Sequence, residues 1–419
     1  MRLEFGETGL DLDLTGINAT IMRPRFLPGL ADEGAAFREA ARHPIGGAPL
    51  RDRIGSGETV AVAIPDITRA LPSDRLLPWL FGELAHVPDA NITIIIGTGT
   101  HRGNTEAELR RMVGDAVVDR YRIVNHDAVN REGLVEVGTS SFGYPVSYNR
   151  EYAEADRRIL LGFIEPHFMA GFSGGYKGCF PGVAGLEGIM QYHSVPNIGD
   201  PRSTWGRLEG NPTQAHLRAA GSLLPVDFLL NVTLNIRKEI TRFFCGDVIE
   251  AHEAGCAFVR ETVMTGVDEP FPIVITTNSG YPLDLNLYQT VKGMSAASQI
   301  TADGGLILTA ARCNDGFPSH GRFREMLFRF TSASEALAAI SRPGFSEVDR
   351  WQVQLLALIV LRTRVSLFSE LNPAEVRRAF LEPVTDLRAA LDVELDRIGR
   401  NAPVAILPEG PLTIPYLRT

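Results

Sequence analysis

The chain has 419 residues, of which 44% are apolar and 22% are charged, and its formal net charge is -9. This length exceeds what one hydrophobic core usually supports, so two folded domains are predicted, and the apolar content argues against disorder. The acidic balance excludes the basic surface that nucleic acids and anionic membranes attract. The sequence begins without an apolar stretch of signal-peptide length and has no run long enough to cross a bilayer, so we expect a cytoplasmic protein.

The first half of the sequence alternates short apolar runs with segments of helical periodicity. The apolar runs, each predicted to be a buried strand, are ETVAVAIPD at 58–66, NITIIIGTGTHR at 91–102, RIVNHD at 122–127 and RRILLGFIEPH at 157–167. Helical patterns such as EAELRRMVGDAV separate them. This alternation is typical of a mainly parallel sheet in an α/β domain.

A second α/β pattern follows. Its predicted strands are FPIVITTNSG at 271–280, GGLILTAARCND at 304–315 and APVAILPEG at 402–410. A stretch with glycine and prolines at 265–272 is typical of a linker. We therefore predict two α/β domains with mainly parallel sheets, over residues 1–268 and 269–405, and an active site in the cleft between them. The segment 406–419 is expected to pack back on the first domain.

Polar side chains stand where the four strands of the first half end. These are Asp66 and Arg69 after the first strand, His101 after the second, His126 after the third and His167 after the fourth. In open parallel sheets, ligands bind at the carboxyl ends of the strands, where loops bring several side chains to one crevice. The sequence therefore predicts a site at this edge.

Two of these loops each have two interpretations. His101 stands in GTGTHRG, whose amides and hydroxyls suit a phosphate and whose imidazole suits a general base, but a strand-to-helix turn with a capping threonine has the same pattern. Asp66 accepts a ribose hydroxyl or caps a turn. Arg69 binds a carboxylate or a phosphate.

The stretch GFIEPHFMAGFSGGYKGCFPGVAG, residues 162–185, combines glycines with aromatic residues. A solvated linker lacks such rings, so the stretch indicates tight turns around a bound group, with a glycine-rich loop packed on the sheet as the alternative. Lys177 would be partly desolvated there, which favours a nucleophile or an attachment point. His193, in IMQYHS, is a metal ligand or a helix cap. The histidines lack zinc-hydrolase spacing, so that class is a fallback.

The second half offers one further cluster. NLYQTVKG puts Tyr288 and Lys292 on one helical face, with Gln289 beside them. Such a face is solvated by default, but within a cleft it would bind a substrate carboxylate. Trp351, in DRWQVQ, is more often a core anchor than the wall of a substrate pocket.

Together these motifs resemble those of the nickel-pincer lactate racemase family. The resemblance runs from end to end through DITR, GTGTHR, PHFMAGFSGGYKG, QYHS, YQTVKG, DRWQVQ and PEGPLTIPYL. The spacings also match: 66 residues from His101 to His167, 10 from His167 to Lys177, and 16 from Lys177 to His193. Several motifs in order are more specific than any one of them.

The resemblance implies a racemase or epimerase of a 2-hydroxy carboxylate, either lactate or a larger acid. It also implies a nickel-pincer nucleotide, Ni(II) pyridinium-3,5-bisthiocarboxylic acid mononucleotide, attached covalently to Lys177, with His193 as a nickel ligand. By the same resemblance, His101 and His167 are the acid/base pair in proton-coupled hydride transfer. The implied cofactor-binding residues are Asp66, Ile67, Thr68, Arg69, Gly174 and Gly175. The implied substrate-binding residues are Arg69, Tyr288, Gln289, Lys292 and Trp351.

Two other functions stay open at this point. A nicotinamide-dependent 2-hydroxyacid dehydrogenase would use the same substrates, but no GxGxxG follows a strand with an acidic residue about 20 positions later. A non-catalytic protein that binds a hydroxy acid or the cofactor would need the same binding residues. The expected partners are a small 2-hydroxy acid and the enzymes that make the cofactor, without nucleic acid or membrane, and an oligomer is compatible with these features.

Overall fold

The structure is a computed structural model that describes residues 1–318 and 321–418. Its strands are, in chain order, β1 Arg2–Leu3, β2 Leu10–Asp11, β3 Ala19–Ile21, β4 Val60–Pro65, β5 Ile92–Gly97, β6 Arg122–Asn125, β7 Leu134–Thr139, β8 Pro145–Asn149, β9 Arg157–Phe163, β10 Pro166–His167, β11 Gly171–Phe172, β12 Phe228–Leu234, β13 Ile240–Gly246, β14 Met264–Val267, β15 Phe271–Thr277, β16 Thr301–Ala310, β17 Arg364–Phe368, β18 Glu382–Val384, β19 Val404–Leu407 and β20 Ile414–Leu417. Its helices are α1 Glu33–Arg42, α2 Leu50–Arg53, α3 Ser73–Glu83, α4 Glu106–Val113, α5 Asp115–Arg120, α6 Arg150–Glu154, α7 Leu186–Tyr192, α8 Val195–Gly199, α9 Pro212–Gly221, α10 Glu250–Val263, α11 Leu287–Ser298, α12 Phe323–Arg329, α13 Ala333–Ile340, α14 Arg350–Arg362, α15 Pro373–Arg378 and α16 Leu387–Ile398. In these two ranges, no helix has the length and apolar character that crossing a membrane requires.

The chain divides into two compact units. We call Phe26–His193 together with Arg202–Glu261 the N-terminal unit. We call Met1–Arg25, Ser194–Pro201 and Thr262–Thr419 the C-terminal unit. Each unit contains one six-stranded sheet.

Residues at both ends of the sequence belong to a different unit from the one that the predicted boundaries at 268 and 405 give them. Residues 1–25 belong to the C-terminal unit, because β3 pairs in parallel with β19. The segment 406–419 is expected on the first domain, whereas β20 pairs with β14 inside the C-terminal unit. Thr419 itself lies outside the described residues. The position of a strand of only three or four residues depends on a partner that is distant in sequence. No local sequence pattern therefore predicts which sheet such a strand joins.

The sheet of the N-terminal unit has the order β13-β12-β9-β4-β5-β6. Its neighbours are parallel except β12 and β13. The four strands predicted for the first half are confirmed as β4, β5, β6 and β9. In β4, Val62 packs into one core cluster and Ala61 into another, so both faces are covered. A strand buried on both faces has the continuous apolar sequence found there.

The direction in which the sheet grows reverses at β4. β5 and β6 are added on one side of it, and β9 and β12 on the other. In such doubly wound sheets, the loops that leave the strands around the reversal open a crevice at their carboxyl ends. Those loops start at Asp66 after β4, Thr98 after β5 and Ile164 after β9.

The sheet of the C-terminal unit has the order β18-β17-β16-β15-β19-β3, and all its neighbours are parallel. Val274 and Ile307 face one core cluster, and Ile273 and Leu306 face the other. The helical face predicted for NLYQTVKG is confirmed in α11, and Trp351 of DRWQVQ lies in the first turn of α14. The fold class is therefore as predicted, with two α/β units and mainly parallel sheets.

Candidate active site

Asp66 and His101 form a hydrogen-bonded pair beyond the carboxyl ends of β4 and β5. Nδ1 of His101 lies 2.7 Å from Oδ2 of Asp66, and the hydroxyl of Thr68 donates to Oδ1 at 2.6 Å. Burial raises the pKa of Asp66, but the hydrogen bond and charge of His101, the hydroxyl of Thr68 and the charge of Arg69 lower it by more. The net result is a pKa below the ordinary value. The charged carboxylate therefore keeps the His101 proton on Nδ1, and Nε2 carries the lone pair.

The DITR motif is a single turn. The N–H of Arg69 donates to the carbonyl of Asp66 at 3.0 Å, and the N–H of Thr68 donates to the Asp66 side chain at 3.2 Å. Ile67 and Arg69 are partly buried, and Thr68 is exposed. Asp66 thus stabilises its own turn and orients His101 at the same time.

The loop that carries His101 is separate from the start of the next helix. The capping residue of α4 is Thr105, which forms a reciprocal capping box with Glu108. The threonines of GTGT therefore do not cap this helix, contrary to one of the two interpretations. Gly99 has a φ of +57°, and its N–H donates to the carbonyl of Gly182 at 2.9 Å. This contact joins the His101 loop to the glycine-rich stretch.

His126 is a structural residue. Its ring is buried, and Nε2 lies 2.9 Å from the carbonyl of Ala184, to which it donates. Burial lowers the pKa of His126, so the neutral ring is favoured. The hydroxyl of Thr98 donates to the His126 carbonyl at 2.7 Å, so the residue also holds the start of the His101 loop.

His167 lies on β10, which pairs with β11 in a tight turn. The N–H groups of Met169 and Ala170 both donate to its Nδ1, each at 3.2 Å. Because Nδ1 is an acceptor here, the neutral ring carries its proton on Nε2. Phe168 stacks on the imidazole with the ring centroids 4.7 Å apart. The turn therefore fixes the plane of the ring and the position of Nε2.

Two buried side chains that the sequence analysis missed hold this turn. Nδ2 of Asn211 and the hydroxyl of Thr213 both donate to the carbonyl of Met169, at 2.8 and 2.7 Å. Asn211 also caps α9, with Pro212 in the first turn. The sequence NPT is a signal for a helix start, but nothing in it reports a second role beside His167.

Lys177 lies in a 3-10 turn, Gly175–Gly178, just after two glycines with positive φ. The values are +79° at Gly174 and +55° at Gly175, a region that residues with a side chain rarely adopt. The N–H of Lys177 donates to the carbonyl of Gly174 at 3.1 Å, and its side chain is partly buried. The glycine pair therefore determines where the lysine stands.

Lysine is rare in this chain, a signal that the sequence analysis missed. Three of the 41 basic residues are lysines, at 177, 238 and 292, and the others are arginines. Arginine stays protonated in proteins and cannot offer a nucleophilic amine. Lys177 and Lys292 are both candidate site residues from the motifs. Two of the three lysines therefore stand at candidate site positions.

His193 is the C-cap residue of α7, and its Nδ1 lies 3.0 Å from the carbonyl of Ile189. A hydrogen bond donated from Nδ1 puts the lone pair on Nε2, the usual arrangement of a metal-binding histidine. The two roles predicted for His193, cap and ligand, are therefore compatible. Within the two described ranges, no group of three or more His, Cys, Asp or Glu could hold a metal ion, so they offer no support for the zinc fallback.

Tyr288, Gln289 and Lys292 lie on α11, and each is partly buried. The indole N–H of Trp351 donates to the hydroxyl of Tyr288 at 3.2 Å, and Gln352 donates to the Tyr288 carbonyl at 2.6 Å. Trp351 is only 6% exposed. It is therefore a core anchor that also orients a candidate substrate-binding hydroxyl.

The fold and this arrangement define an α/β enzyme with imidazoles of fixed tautomer at the reversal point of a doubly wound sheet. Residues 5–206 match the family model of the lactate racemase N-terminal domain, and residues 268–414 match that of the lactate racemase C-terminal domain. The chain belongs to the lactate racemase family and is an isomerase of the racemase class.

Individual relatives agree with this membership. The lactate racemase of Thermoanaerobacterium thermosaccharolyticum is 35% identical over 377 residues, which cover 89% of this chain and 88% of that protein. The lactate racemase of Lactiplantibacillus plantarum is 35% identical over 383 residues, which cover 90% of each chain. The lactate racemase apoprotein structure from T. thermosaccharolyticum is similar with a TM-score of 0.91 at 33% identity, over 100% of this chain and 99% of that one. A Thermotoga maritima protein, with a TM-score of 0.69 at 19% identity over 94% and 100%, shares the fold alone.

Proposed function

We propose that this chain interconverts the enantiomers of a 2-hydroxy carboxylate, lactate or a larger acid, by proton-coupled hydride transfer to a nickel-pincer nucleotide attached to Lys177. The observation that carries the proposal is the contact between Asp66 and His101 in a chain of this family. The carboxylate fixes a base of defined tautomer at the edge of the sheet where ligands bind. The proposed partners are the substrate and the enzymes that make the cofactor, in the cytoplasm.

The residues present fit this cofactor. Lys177 is a primary amine that follows two glycines with positive φ. His193 offers Nε2 of an imidazole held by a backbone carbonyl, and imidazole together with sulfur ligands suits nickel(II). When bound, the electron-poor pyridinium ring supplies a hydride acceptor, which a substrate with a very weakly acidic Cα–H requires.

The other proposed nucleotide-binding residues differ in the hydrogen-bonding groups that they present to a nucleotide. Thr68 and Arg69 present a hydroxyl and a guanidinium at the end of β4, and Ile67 lies between Asp66 and these two. The N–H of Gly175 is already donated to Asn231, and Cβ atoms at Gly174 and Gly175 would meet Asn231 and His252, so we assign these two glycines the course of the backbone beside the nucleotide rather than a donor.

His101 accepts the hydroxyl proton of one enantiomer at Nε2. Asp66 stabilises the imidazolium that forms, because the carboxylate already accepts the proton of Nδ1. His167 is assigned to the hydroxyl of the other enantiomer. To return a proton from Nε2 to the substrate oxygen after His101 has removed one, it starts as the imidazolium and ends with its proton on Nδ1, so in the reacting complex Nδ1 no longer accepts from the N–H groups of Met169 and Ala170. Two bases on separate loops explain why both enantiomers are substrates.

A substrate carboxylate needs a cation and hydrogen-bond donors. We assign Arg69 this role in the N-terminal unit. The predicted substrate-binding residues of the C-terminal unit, Gln289 and Lys292 on α11 with the Tyr288 hydroxyl oriented by Trp351, offer the same kinds of group. These groups neutralise and orient the carboxylate, so their loss should act mainly on KM.

The test is to produce the chain together with the enzymes that make the cofactor and to follow the circular dichroism of optically pure 2-hydroxy acids. We expect the signal to decay towards the racemic mixture, with an added mass on the peptide of Lys177 and bound nickel. Lys177→Arg should abolish the decay, the added mass and the nickel. Lys238→Arg is the matched control and should change none of them.

Each other outcome overturns part of the proposal. Absence of the added mass and of nickel in the wild type removes the cofactor assignment. Formation of a 2-keto acid with tightly bound NADH supports the nicotinamide-dependent dehydrogenase instead. Full cofactor loading without turnover of any acid in the panel supports a binding protein.

A further inference from the structure

Two buried polar side chains lie against the backbone just before Lys177. They are Asn231, on β12, and His252, on α10, and they are 1% and 3% exposed. The proposed chemistry uses neither of them. Burying a polar side chain costs free energy unless it makes specific hydrogen bonds, so the partners of these two residues indicate their purpose.

Asn231 contacts both glycines that precede the 3-10 turn. Its Oδ1 accepts the N–H of Gly175 at 2.9 Å, and its Nδ2 donates to the carbonyl of Leu230 at 3.1 Å, which fixes the orientation of the amide. A Cβ atom at Gly174 would lie 2.5 Å from this Oδ1. The side chain therefore occupies space that exists only because residue 174 is glycine.

His252 holds the same segment from α10. Its Nε2 lies 2.9 Å from the carbonyl of Ser173, and a Cβ atom at Gly175 would lie 2.8 Å from its Cγ. Burial lowers the pKa of His252 to about 4, so the ring is neutral near pH 7 and donates from Nε2. The Sγ atom of Cys256 lies 3.4 Å from the same nitrogen.

We infer that Asn231 and His252 are positioning residues that set the direction in which Lys177 leaves the glycine-rich loop. They fix the carbonyl of residue 173 and the N–H of residue 175, and the N–H of Lys177 bonds to the carbonyl of Gly174 between them. If this segment moves, Lys177 moves with it, because only one turn of backbone separates them. The inference rests on the proposed role of Lys177 as the attachment point.

The presence of only three lysines makes a direct test practicable. The cofactor-free protein is treated briefly with an amine-reactive acetylating ester, and acetylation of Lys177 is measured by peptide mass spectrometry relative to the exposed Lys238 in the same chain. In His252→Leu, we expect this ratio to change by about three- to tenfold, since a buried hydrogen bond to the loop is lost. Deuterium uptake should rise in the peptide that spans residues 171–180. His252→Gln keeps an N–H donor and should restore both values towards the wild type.

Thr233→Val is the matched control, because it removes a buried hydroxyl on β12 that bonds to Thr241 and not to the loop. Its labelling ratio should equal that of the wild type. An unchanged ratio and unchanged deuterium uptake in a cooperatively folded His252→Leu would overturn the inference. Asn231→Leu provides the same test if His252→Leu does not fold.

The two proposals fail separately. Wild-type protein that carries no cofactor mass on Lys177 would refute the proposed function, while the labelling ratio would still report on loop position. Unchanged labelling would refute the positioning role and leave the proposed function intact.

Discussion

The N–H of His101 Nδ1 points at Oδ2 of Asp66 across 2.7 Å, and the contact links the loops after two neighbouring strands. Asp66→Asn removes the charge and allows an amide N–H to face Nδ1, which favours the tautomer with its proton on Nε2. We expect racemisation to fall by a factor on the order of 10³ to 10⁴. The measurement is the initial rate of circular-dichroism decay at equal nickel content. A loss below tenfold would mean that Asp66 does not act through the His101 tautomer.

Burial of His252 makes stability depend on pH. Its pKa is lowered to about 4 in the folded protein. Between about 4 and the ordinary value of about 6.5, the unfolded chain binds a proton that the folded chain does not, so stability falls as the pH drops through this window. From pH 7 to pH 5 the loss is about 2 kcal/mol. His252→Gln does not titrate, so its free energy of unfolding should fall by about 2 kcal/mol less over this interval. Equal losses in both proteins would contradict the prediction.

The hydroxyl of Thr213 has two acceptors, the carbonyl of Met169 and Oδ1 of Asn211, both at 2.7 Å. Thr213→Val keeps the shape but leaves these acceptors with one donor fewer, so we expect a loss of about 1–2 kcal/mol in unfolding free energy. The turn that holds His167 loosens as well, so kcat should fall. Thr309→Val is the control: this hydroxyl is equally buried but has no hydrogen-bond partner among the described residues, so its loss should be neutral or stabilising. Equal effects of the two changes would argue against a role for Thr213 beside His167.

The contact from Trp351 to Tyr288 is testable through binding. Trp351→Phe keeps an aromatic ring and removes the donor, and Tyr288→Phe removes the acceptor. If the contact orients the hydroxyl towards a carboxylate, each change should raise KM by up to about tenfold with a smaller change in kcat. In the double variant the two effects should not add, because the second change removes an interaction that is already lost. Additive effects would indicate that the residues act independently.

The strand ends of the N-terminal unit could be predicted because buried parallel strands have continuous apolar sequences. Asp66, His101 and His167 each come shortly after such a run, so the sequence was enough to predict the edge of the sheet on which they lie. The tautomers of the two histidines could not be predicted from the sequence. Those depend on Asp66 for His101 and on backbone amides for His167, and only the folded turns bring these groups into range.

The residues that hold the loops could not be predicted, because their partners are far away in sequence. Asn231 is 56 residues from Gly175, and His252 is 79 from Ser173. Neither stands in a motif, and a buried asparagine or histidine has no local periodicity to reveal it. Lysine scarcity was a usable signal, since it needs only a count.

The parallel pairing of β3 with β19 has a consequence for synthesis of the protein. β3 lies within the first 25 residues, and its partner begins at Val404. During translation, this edge of the C-terminal sheet must wait until residues 404–407 have left the ribosome. The N-terminal unit ends at Glu261 and can complete its own sheet long before. Ribosome-bound chains halted near residue 300 should therefore resist proteolysis within Phe26–His193 and Arg202–Glu261 while residues 1–25 are still cleaved.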